Sequence, residues 1–414
     1  MTLSRRRFLE ASLFAGATSV VAARLAFADA PTEARFVFVL LRGALDGLSA
    51  VPPVGDPAYA ALRGQIALPK SGEGAALPLD SIFALHPALG FLHASYAARE
   101  LLVLHAVASP YRERSHFDGQ NVLESGGLRP HETPSGWINR ALGALPGGAR
   151  QGVALGANVP LAMRGAVEVA SWSPTKLAVD ETTLARLTDL YARDPLLSRR
   201  LAEALQSDAI ATEAQQAAVE AGPAMAMPGD LVARDAQEKR NFGARYTEAA
   251  RAAAGFLRRE DGPRVAMFDT TGWDTHANEG AAQGQLALRL RGLDLALQAL
   301  RDSLGPVWRR TVVLVATEFG RTAAINGTRG TDHGTGAAAF LLGGAVDGGR
   351  VIADWPGLAR NRLYEGRDLA PTGDLRAVMK GVLRDHLGVP ATRLDGDVFP
   401  GSGAARPLDG LIRG

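Results

Sequence analysis

Arg35-Phe36-Val37-Phe38-Val39-Leu40-Leu41 is an apolar run behind a single charge, and it stops at Gly43 with Asp46-Gly47 following. A strand with one wet face alternates polar and apolar residues, whereas a run apolar at every position is covered on both faces, as in a parallel sheet. Three further runs repeat the pattern and each ends in a polar cluster. Leu101 to Val107 leads to Arg114-Ser115-His116-Phe117-Asp118, Arg264 to Asp269 leads to Gly272-Trp273-Asp274-Thr275-His276, and Thr311 to Ala316 leads to Thr317-Glu318-Phe319-Gly320-Arg321. A fifth run, Ala337 to Leu342, is entered through Gly330-Thr331-Asp332-His333-Gly334. Ligands of open α/β sheets bind beyond the carboxyl ends of the strands, so these clusters are expected to converge on one crevice.

Helices supply the crossovers. From Leu286 the leucines recur at 290, 293, 297, 300 and 304, a 3.6-residue stripe closed by Gly305-Pro306. Residues 175–260 are rich in Ala, Glu, Arg and Gln, with stripes at Leu184, Leu187, Tyr191 and at Phe242, Tyr246, Ala249, Ala253, Phe256, punctuated by Pro195, Pro223 and Pro228. They read as a helical insertion or cap beside the sheet, its charges forming a solvated face.

The chain opens with Ser4-Arg5-Arg6-Arg7-Phe8-Leu9, followed by a soft apolar stretch and Ala26-Phe27-Ala28. That is the pattern of a twin-arginine export signal, with cleavage expected after Ala28 and the twin-arginine translocase as first partner. The stretch from Ala11 to Ala26 is too short and too rich in small residues for a stable membrane span. The expected organisation is a signal peptide at 1–28 and a single domain at 29–414 carrying the insertion. Residues 1–28 hold four Arg and one Glu, so without them the formal charge of +2 falls to −1, with 41 basic and 42 acidic side chains. Bulk charge therefore gives no case for nucleic acid. The chain has no cysteine, which excludes disulfides, thiolate ligands and a cysteine nucleophile. Any metal must sit on His and carboxylates.

The polar clusters, with Gly43-Ala44-Leu45-Asp46-Gly47-Leu48 and Asn326-Gly327-Thr328-Arg329 ahead of Gly330, resemble the exported bacterial domain-of-unknown-function 1501 family in order and spacing. Gly343-Gly344 to Gly349 and Pro356-Gly357 match as well. The resemblance implies an alkaline-phosphatase-like α/β fold, a mostly parallel sheet flanked by helices. It implies a periplasmic or secreted protein and makes a second exported protein plausible as a partner. Two motifs depart from the family: Arg42 precedes Gly43 where paired glycines are usual, and Thr317 stands where Ser is usual.

The residues themselves suggest metal chemistry. Asp274 and His276, two apart after a strand, and the pair Asp332-His333 can aim carboxylate and imidazole at one ion, with Gly334 allowing close backbone approach. Asp46 and Glu318 join them as candidate ligands through their place at strand ends. In the structural alternative Asp274 is a helix cap, Asp46 a turn residue and Glu318 a buried partner of Arg321. Ser115 is the candidate nucleophile and His116 its assistant, although Ser115 also reads as a helix N-cap with Asp118 at N3. Arg114 and Arg321 offer forks for a phosphate or sulfate, or are ion-pair partners. His86, His93, His105, His131 and His386 fall outside these clusters. The expectation is an exported metal-dependent hydrolase of a phosphate or sulfate ester, using one or two divalent ions such as Zn, Mn, Fe or Ca. The alternative is a non-catalytic exported binding or assembly protein. No Gly-x-Ser-x-Gly elbow, P-loop or sulfatase signature appears.

Overall fold

The computed structural model describes residues 33–145, 152–173, 181–191, 194–220 and 232–414. The export signal at 1–28, Pro223 and Pro228 lie outside them, as does the side chain of Phe242. The strands are β1 (Arg35–Leu41), β2 (Leu77–Pro78), β3 (Ala84–Leu85), β4 (Leu101–Ala108), β5 (Gly152–Leu155), β6 (Ala170–Trp172), β7 (Val265–Thr270), β8 (Thr311–Thr317), β9 (Ala337–Leu342), β10 (Arg350–Ile352) and β11 (Gly373–Asp374). The helices that matter are α1 (Gly47–Ala50), α2 (Tyr59–Arg63), α3 (Gly90–Ala97), α4 (His116–Ser125), α5 (Trp137–Ala144), α6 (Glu181–Tyr191), α7 (Pro195–Glu220), α8 (Val232–Arg258), α9 (Gln285–Leu304) and α10 (Leu375–Asp385).

Nine strands form one sheet in the order β10-β4-β9-β8-β1-β7-β5-β6, with β11 also on β4. All pairings are parallel except those of β9, which runs antiparallel to β4 and β8. The five long apolar runs fall on β1, β4, β7, β8 and β9. On β1 the reason for the continuous apolar pattern is visible: Val37, Val39 and Leu41 enter one hydrophobic cluster while Phe36, Phe38 and Leu40 enter another. One face is covered by α3, α8 and α9, the other by α5 and α10. Leu286, Leu290, Leu293, Leu297, Leu300 and Leu304 of α9 are all fully buried, as the stripe predicts. The helical segment is less of a cap than its composition suggests. Ala250, Ala253, Phe256 and Leu257 of α8 are fully buried in the same cluster as α9, so the second half of α8 is a core layer.

Two features bring the polar clusters together. β1, β7 and β8 are in level register, Leu41 pairing with both Thr270 and Thr317, so the segments after them leave from one edge. Because β9 is reversed, the segment before it, Asp332 to Gly334, arrives at that same edge.

Candidate metal centre

His116 is the first helical residue of α4, Asp274 and His276 lie on the loop after β7, and His333 on the loop before β9. The loops are locked by close backbone approach. A Cβ at Gly43 would stand 2.8 Å from the Asp274 nitrogen, and Gly43 has φ +117. One at Gly334 would stand 2.3 Å from the Arg321 carbonyl oxygen, where Arg321 and His333 form an antiparallel bridge. Only glycine fits such contacts.

His116, Asp274 and His333 offer ligand atoms that all lie within 4.8 Å of one another, and His276 adjoins that group through His333 and Asp274. His333 Nε2 lies 3.0 Å from His116 Nε2 and 3.0 Å from His276 Nε2. Asp274 reaches all three: its oxygens are 3.4 Å from His116 Nε2, 3.0 Å from His276 Nε2 and 3.3 Å from His333 Nε2. The opposite nitrogen of each ring is held by an acceptor. His116 Nδ1 donates to Glu318 Oε1 at 2.9 Å, His276 Nδ1 to Asp332 Oδ1 at 3.2 Å, and His333 Nδ1 to the Arg114 carbonyl at 2.9 Å. These acceptors assign the tautomers: a neutral ring that carries its proton on Nδ1 presents a bare lone pair at Nε2. The Nε2 lone pairs therefore crowd around Asp274 at about hydrogen-bond separation with no donor among the three rings, while Asp274 Oδ1 is held by Arg321. A positive charge at their meeting point resolves the conflict. Ligand atoms about 2.0–2.1 Å from a tetrahedral ion stand roughly 3.3–3.4 Å from one another, close to the separations seen among His116, Asp274 and His333.

The surrounding electrostatics are tuned. The hydrogen bond to Glu318 holds His116 more basic than an ordinary imidazole, while burial and the neighbouring His116 lower His333. Burial works to raise Asp274, but the Arg321 guanidinium, 2.5 Å away, outweighs it and keeps the acid ionised. Glu318 is fully buried; its hydrogen bonds from His116, Gln120 and the Gly43 amide overcome the cost of burial and hold its pKa down. Asn326 lowers Asp332 in the same way.

The candidate residues thus separate into layers. Asp274 and His333 lie in the group of facing ligand atoms, and His276 stands beside it. His116, expected to assist a nucleophile, belongs to that group. Glu318 and Asp332, expected as ligands, stand behind two imidazoles and orient them, an arrangement common around bound metals. Asp46 is elsewhere: it caps α1 through the amides of Leu48 and Ser49 and is paired in full burial with Arg63. Arg114 and Arg321 are not open forks. Arg114 pairs with Asp368 and Glu365, and Arg321 with Asp274 and the Thr331 carbonyl. Arg114 contributes instead through its backbone, held at φ +63. Ser115 occupies the N-cap position of α4, yet its side chain makes no capping hydrogen bond and is half-buried. The other histidines lie apart; His86, His93, His105 and His386 each face a backbone carbonyl and His131 lies beside Asp118.

Sequence reasoning missed three contributors. Arg63 and Glu279 complete the buried cluster with Asp46. Gln120 braces Glu318 from α4, where His116, Gln120 and Glu124 recur every fourth residue; that i, i+4, i+8 polar stripe was a readable signal.

No helix among the described residues is long and apolar enough to cross a membrane. No curated protein matches the chain by sequence. A solved structure of the lipoteichoic acid synthase LtaP from Listeria monocytogenes is similar at 8% identity over 92% of this chain and 81% of that one, with a TM-score of 0.37, too slight a likeness to carry an activity across. The family described as "Protein of unknown function (DUF1501)" matches residues 93–395, a span that holds every residue of the centre, and the chain belongs to that family.

Proposed function

We propose that the protein is an exported, metal-dependent hydrolase of a phosphate or sulfate ester built on an alkaline-phosphatase-like fold. The observation that carries the metal is the convergence of His116, His276 and His333 Nε2 on Asp274, each ring fixed from behind. Nitrogen-rich donors of this kind suit Zn or Fe before Mn, which favours oxygen ligands; calcium prefers six to eight oxygens, which removes it from the expected set. A bound ion would supply Lewis acidity toward the ester oxygens. Ser115 supports the hydrolase reading by its place. It lies between Arg114, whose carbonyl fixes His333, and His116, and its hydroxyl is not consumed by capping α4. Export rests on Arg5-Arg6 and the stretch that follows them.

The second reading is a non-catalytic binding or assembly protein working with a second exported protein. The commitment of Arg114 and Arg321 to carboxylates favours it, because the two expected anion grips are spent.

One set of measurements separates these. Metal content by mass spectrometry should be stoichiometric in wild type and fall in His276→Ala and His333→Ala; wild type without metal, and without a thermal shift on adding Zn, Mn or Fe, would sink the metal centre. Ser115→Ala should abolish turnover of an aryl phosphate or sulfate while leaving metal content unchanged. Undiminished turnover removes Ser115 as nucleophile, and metal without turnover in wild type leaves the binding-protein reading.

A further inference from the structure

Beside the centre lies a cavity of about 400 Å³ between α4, which contributes Phe117, Gln120, Asn121 and Glu124, and the segment carrying Leu161 and Arg164. A second, about 390 Å³, shares Glu124, Leu161 and Arg164, so the two run together. Neither cavity is lined by a residue of the centre itself; the space is tied to it through two neighbours. Phe117 follows His116 in the chain, and Gln120, in the cavity wall, donates to Glu318 at 3.0 Å behind His116.

What the cavity offers a ligand follows from which groups are already engaged. Gln120 spends its oxygen on Arg42 and its nitrogen on Glu318. Glu124 takes Arg42 and the Ala162 amide. The Asn121 oxygen accepts from the His131 amide. Besides Thr133 and the His131 ring, the wall offers the Phe117 ring, 88% exposed, the apolar flanks of Pro134 and Leu161, and the guanidinium of Arg164. Arg164 Nε donates to the Val159 carbonyl at 2.6 Å, which anchors the side chain, while its terminal nitrogens have no acid among the described residues. A flat apolar surface beside a fixed, unpaired cation selects a ring that carries an anionic group.

We propose that this cavity is the subsite for the organic part of the substrate, a ring-bearing group with an anionic substituent held by Arg164 and packed on Phe117. The proposal rests on the hydrolase reading for the word substrate, and its test keeps the two apart.

Binding comes first, with 4-hydroxybenzoate and phenol as probes and calorimetry on the metal-containing protein. Wild type should bind 4-hydroxybenzoate more tightly than phenol. Arg164→Gln should weaken 4-hydroxybenzoate about tenfold and leave phenol unchanged, as expected for loss of one charge-assisted contact. Phe117→Ala should weaken both. Both side chains are exposed and neither is a donor in the centre, so metal content should be that of wild type. Turnover comes second: Arg164→Gln should raise KM for 4-carboxyphenyl phosphate, but not for phenyl phosphate, with kcat kept. No binding of 4-hydroxybenzoate by wild type, or equal binding by wild type and Arg164→Gln, overturns the subsite. Discrimination in binding without turnover of either ester upholds the subsite and rejects the hydrolase; turnover with both KM values unmoved does the reverse.

Discussion

Two clusters of ionisable side chains grow from the same loops and end as opposites. In one, Asp46 and Glu279 lie fully buried on either side of Arg63, with Ser49 bridging the two acids and Thr275 and Thr331 donating to Glu279. Every acid there has a cation or a donor. In the other, half-exposed, three imidazole Nε2 atoms crowd around Asp274, whose cation is Arg321, and no donor lies among the rings. Both draw on residues just past strand ends, and both contain acids the sequence marks as candidate ligands. What separates a structural cluster from a ligand site is internal compensation: in the first both acids are answered by Arg63 and by hydroxyls, and in the second Arg321 answers Asp274 while the three Nε2 atoms face one another without a donor. The two are joined, because Thr331 donates to Glu279 and accepts from Arg321, which in turn holds Asp274. The satisfied cluster anchors the unsatisfied one.

The comparison breaks most visibly at Arg63. Arg63→Met leaves Asp46 and Glu279 sharing a buried space without their cation, and the protein should lose about 3–5 kcal/mol in denaturant unfolding. Stability equal to wild type would mean that the first cluster is no more self-contained than the second. A smaller effect is expected at Glu318. Glu318→Gln removes the charge behind His116, and metal affinity should fall about 10- to 100-fold, measured by competition with a chromophoric chelator. Unchanged affinity would place Glu318 outside the support of the centre.

The smallest effect lies in pH. Burial, then the nearby Asp46, push the Glu279 carboxyl up to about 8, against the Arg63 charge that pulls it down. The folded state then holds its proton more tightly than the unfolded chain does. Its contribution to stability is complete below the ordinary carboxyl value of 4.5 and is lost as pH climbs through 8. Stability of wild type should therefore decline over that window by under about 1.4 kcal/mol per pH unit, and Glu279→Gln should flatten the slope. A slope the variant leaves intact would assign the titration elsewhere.

The frame of the molecule was legible because burial on both faces writes itself into β1, β4, β7 and β8 as continuous apolar runs, and because α9 repeats leucine at helical spacing. The loops carrying the centre were legible as Asp-x-His and Asp-His after or before such runs. The layering was not. Whether Glu318 touches a metal or an imidazole depends on side-chain direction, which no spacing encodes. Asp46 looked like a ligand because its partner, Arg63, sits in the short helix α2 with no pattern to flag it, and Glu279 was unremarked for the same reason. The core half of α8 was hidden by composition, since alanines pack as tightly against a sheet as they sit in water.

The three imidazoles differ in how they could be altered over evolutionary time. Glu318 and Asp332 are side chains, so a single substitution can retune His116 or His276. The acceptor behind His333 is the peptide oxygen of Arg114, which exists whatever side chain stands there. That support is heritable through backbone shape instead, through the left-handed conformation at φ +63, which glycine or asparagine would accept and a β-branched residue would resist. A substitution can therefore change the charge behind two of the rings, at a cost in ligand affinity, while the acceptor behind the third is kept by any residue at position 114 that tolerates this backbone.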